Sequence, residues 1–154
     1  MSQYFIKSSS QKKRGNVAGG VVERIKKSTD VSLDFHSPLF NDYADELQKG
    51  INVYQDKYPM LKQESRFDNL NETTNIQKYL PGEGFYELHT ERENNPVCLK
   101  RIIVYMTYLN DCENAGTEWP YVGVKVPHAD KGLSLLWSAD YPYAHKGLTE
   151  NVND

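Results

Sequence analysis

The sequence predicts an α+β domain, a helical first half followed by consecutive antiparallel strands. Three observations predict it. Apolar residues recur at steps of three and four from Phe40 to Tyr58, the period of one helical face. After residue 70 they fall instead in short runs separated by Pro, Gly and Asn turns. The aromatic share is 12%, with 11 tyrosines among 18 rings, which suits half-buried sheet faces.

The first 20 residues read as a flexible basic entry segment, with Ser8-Ser9-Ser10 and Gly19-Gly20 in it. Residues 1–30 carry seven Lys and Arg against Glu23 and Asp30, a net of +5, so the remainder carries −8 to give the overall −3. A basic arm on an acidic body can steer an anionic partner, but such composition more commonly marks a solvated terminus. Ser37-Pro38 is a helix start, because Ser caps free N–H groups and Pro at the first helical position loses no needed donor. Phe40, Tyr43, Leu47, Ile51, Tyr54 and Tyr58 make the apolar stripe, expected to pack this N-terminal helix onto a sheet, and Pro59 ends it.

Strand-like runs follow. Ile76 to Leu80 leads through the turn Pro81-Gly82-Glu83-Gly84 into Phe85 to Glu91. A polar loop, Arg92 to Pro96, precedes a long run from Leu99 to Leu109. Asn110 to Gly116 reads as a loop, and Trp119 to Val126 and Leu133 to Trp137 as strands divided by Pro127 and Lys131-Gly132. The 154 residues suit one domain with one core.

Several function classes drop out. No apolar run approaches the ~18 residues of a membrane span, and residues 1–10 lack the apolar core of a signal peptide. Cys98 and Cys112 stand 14 apart with no C-x-x-C, so reduced thiols in a cytoplasmic protein are expected. Gly15 to Gly20 lacks the Lys-Ser/Thr of a phosphate-binding loop.

The residues that carry chemistry are His89-Thr90-Glu91, answered 54 positions after the glutamate by His145. Two imidazoles and one carboxylate are the ligand set that holds non-haem Fe(II) on one face and leaves positions open on the other. On a strand from Phe85 to Glu91, His89 and Glu91 point the same way, and a distant strand can bring the third ligand. Such a triplet recurs by chance, so its neighbours decide.

Those neighbours are Tyr79-Leu80-Pro81-Gly82-Glu83-Gly84 before His89, then Tyr108-Leu109-Asn110-Asp111, Gly116-Thr117-Glu118-Trp119-Pro120, and Lys131-Gly132 ahead of Leu135-Leu136-Trp137. In this order the chain resembles the prolyl 4-hydroxylase-like 2-oxoglutarate/Fe(II) dioxygenases, most of all the small phage-encoded members found in marine viruses. The resemblance spans residues 20 to 154 and is strongest from 76 to 147. It implies a double-stranded β-helix, a jelly-roll or cupin-like barrel with metal and cosubstrate in its mouth. It also implies Fe(II) on His89, Glu91 and His145 as catalytic metal ligands, and 2-oxoglutarate as cosubstrate near Tyr79 and Tyr108. The partners expected are O2 and 2-oxoglutarate, with ascorbate as an auxiliary reductant, and a host cytoplasm if the source is viral.

Three departures from the family pattern stand out. Glu91 occupies a position where most hydroxylases of the group have Asp, and Ala115 replaces the first glycine of the usual G-G-T. The family also places a Lys or Arg about ten residues after the distal histidine, whereas this sequence ends at Asp154, nine after His145, so a last core strand is expected to continue past it. Lys146 is too near His145 to take that place, and Lys125 or Arg101 would need unusual geometry. Arg101 lies an odd number of residues from Tyr108, which aims it at the opposite face of a regular strand and gives it a pairing role. Trp119 and Trp137 read as packing residues.

The expected activity is hydroxylation of a C–H bond with decarboxylation of 2-oxoglutarate to succinate. The alternative is a degenerate jelly-roll that binds without catalysis. The substrate is open between a peptidyl side chain, slightly preferred by analogy, a free amino acid or other small molecule, and a nucleobase. The basic stretch Arg24-Ile25-Lys26-Lys27-Ser28-Thr29-Asp30 resembles the mobile loop that covers the active site of prolyl hydroxylases, and is expected over the barrel mouth.

Overall fold

The computed structural model describes residues 7–8, 11–17, 20–34, 36, 38–63 and 74–149. They fall into two compact units, one drawn from 1–31 and 76–154 and the other from 32–75. In the smaller unit, helix α1 (Pro38–Lys57) ends just before Pro59, which cannot donate the next helical hydrogen bond, and Pro59–Lys62 turn as a 3-10 helix. Phe40, Leu47 and Ile51 are buried, so this part of the predicted stripe is the inward face of the helix, whereas Tyr58 lies just past its end and is exposed. The expected cap, Ser37, lies outside the described residues.

The strands are β1 (Lys13–Arg14), β2 (Thr29–Leu33), β3 (Thr74–Lys78), β4 (Ile103–Thr107), β5 (Cys112–Trp119), β6 (Val124–Ala129), β7 (Ser134–Ser138) and β8 (Lys146–Gly147). Hydrogen bonding orders them as β1-β2-β3, β4-β7 and β6-β5-β8. The β1–β2, β4–β7, β5–β6 and β5–β8 pairs are antiparallel. The fold is mixed α+β with several antiparallel sheets, and no sheet closes into a barrel among the described residues. No helix among them is long and apolar enough to cross a membrane.

Several boundaries differ from those the sequence predicts. The entry segment contains β1, whose Lys13 and Arg14 pair with Asp30 and Thr29. The run from Leu99 becomes a strand only at Ile103. Asn95 opens a turn in which Cys98 and Leu99 both donate to its carbonyl (3.0 and 3.1 Å), and that turn extends to Lys100. The expected loop from Asn110 to Gly116 is largely strand β5, with a register shift between Glu113 and Thr117 and Asn114 at φ 56°. A bulge of that kind takes up polar, turn-forming residues without ending the ladder, which is why composition misleads there. Pro127 lies inside β6 and does not divide two strands. It is tolerated because β6 is the edge of its sheet.

Gly116 holds the β5–β6 approach. A Cβ there would lie 1.6 Å from the Val126 carbonyl oxygen, whereas Ala115 is exposed. The second glycine of the G-G-T pattern is therefore the one the backbone needs, and the change at Ala115 is harmless. Behind β5 and β7, Trp119 and Trp137 meet edge to face, with ring centroids 5.1 Å apart.

Candidate metal centre

The segment from Phe85 to Glu91 is not one regular strand. Phe85 bridges Lys26, and His89 bridges His145. His89 and His145 exchange both backbone hydrogen bonds (3.1 and 2.9 Å), so they stand directly opposite each other in an antiparallel pair. Their rings are therefore neighbours, 4.4 Å apart. Glu91, two residues on, brings Oε1 to 3.7 Å from Nε2 of each histidine. One ligand atom from each of the three side chains lies within 4.8 Å of the others, a cluster able to hold a metal ion.

The tautomers favour it. His89 Nδ1 lies 2.8 Å from the Glu87 carbonyl and His145 Nδ1 lies 3.2 Å from the Tyr143 carbonyl. A carbonyl only accepts, so each Nδ1 carries a proton, and in the neutral rings each Nε2 presents a lone pair on the Glu91 side. Desolvation, and then the neighbouring His89, lower the His145 pKa to about 4, so that ring stays neutral near neutrality. Burial pushes the Glu91 carboxyl up, but His89 when protonated, followed by the Arg101 guanidinium, outweighs it and holds the group below its ordinary value.

Arg101 donates from Nη1 to Glu91 Oε2 at 2.8 Å and to the Glu91 carbonyl at 2.9 Å. Its own backbone carbonyl accepts from the Arg92 guanidinium, which also faces Asp140 at 3.3 Å. The pairing role expected of Arg101 is thus found, although the parity argument behind it does not apply, because Arg101 precedes β4.

Aromatic rings wall the histidines. Phe85 stacks on His89 (3.6 Å, 11°), while Trp137 and Trp119 lie 5.0 and 6.1 Å from His145. Trp119 and Trp137 have buried indole N–H groups with no hydrogen-bond partner among the described residues.

The β5–β8 register explains which side chains share the His145 face. Thr117 pairs with Gly147 and Glu118 with Lys146. Strand alternation puts Thr117 and Trp119 with His145, and leaves Glu118 and Lys146 to form an ion pair (3.0 Å) on the other side. The Tyr108 hydroxyl shares a 3.0 Å hydrogen bond with Thr117 Oγ1, so Tyr108 reaches toward the His145 face. Burial pushes the Tyr108 phenol up. Tyr79 donates a hydrogen bond to Gln77 Oε1 (2.7 Å), and its phenol is pushed up by burial first and then by the charge of Asp30, with a smaller contribution from Glu91.

Behind Phe85 lies a buried ion pair. Lys26 Nζ meets Asp30 Oδ2 at 2.9 Å and Ser28 Oγ donates to Asp30 Oδ1 at 2.8 Å, with Lys26 and Asp30 only 4% and 3% exposed. The Lys26 ammonium also sits 5.8 Å from the Phe85 ring centre. The basic stretch expected as a loose cover is thus partly core: the backbones of Ile25 and Lys27 hydrogen-bond those of Tyr86 and Gly84. Sequence reasoning missed this pair and the Phe85 stack. Position i−4 to His89 was the one available signal, since Phe85 shares its strand parity.

Comparison with protein-family models, with curated proteins and with solved structures returns no match.

Proposed function

We propose that this chain is an Fe(II)- and 2-oxoglutarate-dependent dioxygenase that hydroxylates a C–H bond. The observation that carries the reading is the convergence of the two Nε2 atoms on one carboxylate oxygen within a 4.8 Å cluster, with the other carboxylate oxygen held by Arg101. Such a donor set would hold Fe(II) through three side chains and leave positions on the ion for small molecules. The ordered motifs from Tyr79 to Trp137 add the resemblance to prolyl 4-hydroxylases. On this reading the separate antiparallel sheets belong to a double-stranded β-helix.

When bound, iron and 2-oxoglutarate supply the oxidative half of the chemistry: dioxygen gives one atom to succinate, with loss of carbon dioxide, and one to the substrate C–H bond. The chain's own residues bind, orient and exclude water. His89, Glu91 and His145 hold the ion. Arg101 keeps Glu91 turned so that Oε1, rather than Oε2, faces the histidines. On this reading the hydroxyls of Tyr108 and Thr117, 3.0 Å apart, would bind a carboxylate of the cosubstrate, and Tyr79 would be a further contact to it. Phe85, Trp119 and Trp137 exclude water from the imidazoles.

Anaerobic titration with Fe(II) and 2-oxoglutarate tests this, read by the visible charge-transfer absorption of a chelated 2-oxo acid. Absorption in the wild type that disappears in His89→Ala is the expected result. Iron binding without the band would remove the cosubstrate from the reading, and no iron binding would favour a non-catalytic module.

A further inference from the structure

Phe85 and His89 stack ring on ring at 3.6 Å although they stand four positions apart in the chain. Along a regular strand such residues are separated by roughly 13 Å, so the chain between them is not extended throughout. The pairing shows where the extra length goes. Gly147 donates to the Phe85 carbonyl (2.8 Å), and His145 exchanges both backbone bonds with His89. Four steps of chain from Phe85 to His89 therefore face two steps from Gly147 to His145. Tyr86 still donates to the Ile25 carbonyl (2.8 Å), which leaves Glu87 and Leu88 as the residues looped out. A bulge of this kind re-aims side chains and brings together residues on either side of it.

Both consequences of the bulge fall on His89. Phe85 is carried over one face of the imidazole, and the Glu87 carbonyl is turned to 2.8 Å from Nδ1. Phe85 is itself held from behind. Its backbone bridges Lys26, Lys27 donates to the neighbouring Gly84 carbonyl (2.9 Å), and the buried Lys26 ammonium lies 5.8 Å from the Phe85 ring centre. His145 has different walls, Trp119 and Trp137, and a different carbonyl, that of Tyr143. We infer that Phe85 and the bulge at Glu87 and Leu88 are a positioning device, which sets the His89 ring with Nε2 toward Glu91 before any ion arrives. The inference rests on the metal-ligand role of His89 in the reading above. Phe85 is a positioning residue, because it acts on the ion only through His89. A ligand ring already fixed loses no rotamer freedom on binding, which strengthens the site.

The test reads the His89 ring itself, by nuclear magnetic resonance of the histidine side chains at mildly alkaline pH. In the metal-free wild type His89 should show one rotamer, with its proton on Nδ1. Phe85→Leu should release the ring into rotamer averaging and weaken the binding of Zn(II), used alone as the probe, about tenfold. The His145 ring, walled by the indoles, should keep its order in that variant. Phe85→Tyr, which keeps a ring over the imidazole, should restore both the order of His89 and the Zn(II) affinity. A wild-type His89 ring that already averages, or that carries its proton on Nε2, would overturn the inference even where Phe85→Leu does not fold. An ordered ring with unchanged Zn(II) affinity in Phe85→Leu, or no rescue by Phe85→Tyr, would also overturn it. Equal loosening of His145 would reduce Phe85 to general packing and do the same. An iron–cosubstrate band that does not depend on Phe85 sinks this inference alone, and a Phe85-dependent Zn(II) site without the band sinks only the oxygenase reading. No Zn(II) uptake by the wild type would end both.

Discussion

Arg101 grips Glu91 twice, through the side-chain Oε2 at 2.8 Å and the backbone carbonyl at 2.9 Å, and so decides which carboxylate oxygen is left for the histidines. Loss of this clamp should free the carboxylate to rotate. Arg101→Gln is therefore expected to weaken Fe(II) binding by about 10- to 100-fold, the usual cost of removing a group that orients a metal ligand. Calorimetric titration under anaerobic conditions measures it. Unchanged affinity would show that the backbone alone holds Glu91.

Gly116 is constrained by the Val126 carbonyl, 1.6 Å from where its Cβ would stand. Gly116→Ala should push β6 away from β5 and cost about 2–3 kcal/mol, as overpacking does. Ala115→Gly, at an exposed position, should cost less than about 1 kcal/mol. Urea denaturation of the two variants separates them, and equal losses would contradict the close approach.

The ion pair of Lys26 with Asp30 is buried on both sides. Removal of one partner strands the other charge, so Asp30→Asn or Lys26→Met alone should cost about 3–5 kcal/mol. The double variant Lys26→Met/Asp30→Leu should recover much of that loss, because replacing a buried pair by apolar groups is often near neutral. A double variant no better than either single change would mean that the pair contributes through packing or its Ser28 bond.

Metal-free protein should lose stability on mild acidification. His145 titrates at about 4 in the fold against an ordinary 6.5, so between those values the unfolded chain holds the extra proton. Stability therefore rises with pH through that window: the contribution is full above about 6.5 and lost as pH falls toward 4. Glu91, held below its ordinary 4.5, has the same sign further down, with stability lost as it protonates. Urea midpoints from pH 7 to pH 4 should slope less in His145→Gln than in the wild type. Parallel slopes would place the acid sensitivity elsewhere.

Much of the architecture was legible in residue order. The 3.6-residue period from Phe40 to Ile51 foretold α1 and its buried face, and Pro59 foretold its end. The apolar runs foretold β3, β4 and β7 to within a few residues, but polar β5 was hidden because a bulged strand tolerates Asn and Gly. Of the centre, His89, Glu91 and His145 were legible as residue types at a usable spacing. Tyr108 was legible as a motif residue, but its bond to Thr117 was not, since it joins the end of β4 to β5, which belong to different sheets.

The sequence by itself determined the candidate ligand types, the local periods and the turn positions, because propensity, strand parity and proline geometry act within a few residues. Tertiary structure alone decided that His89 faces His145 across a backbone bridge, that Arg101 takes Oε2 of Glu91, and that Lys26 is neutralised by Asp30 inside the fold. Those relationships depend on register and burial, which are set by long-range hydrogen bonding and by the cost of leaving a charge or polar group unpaired away from water.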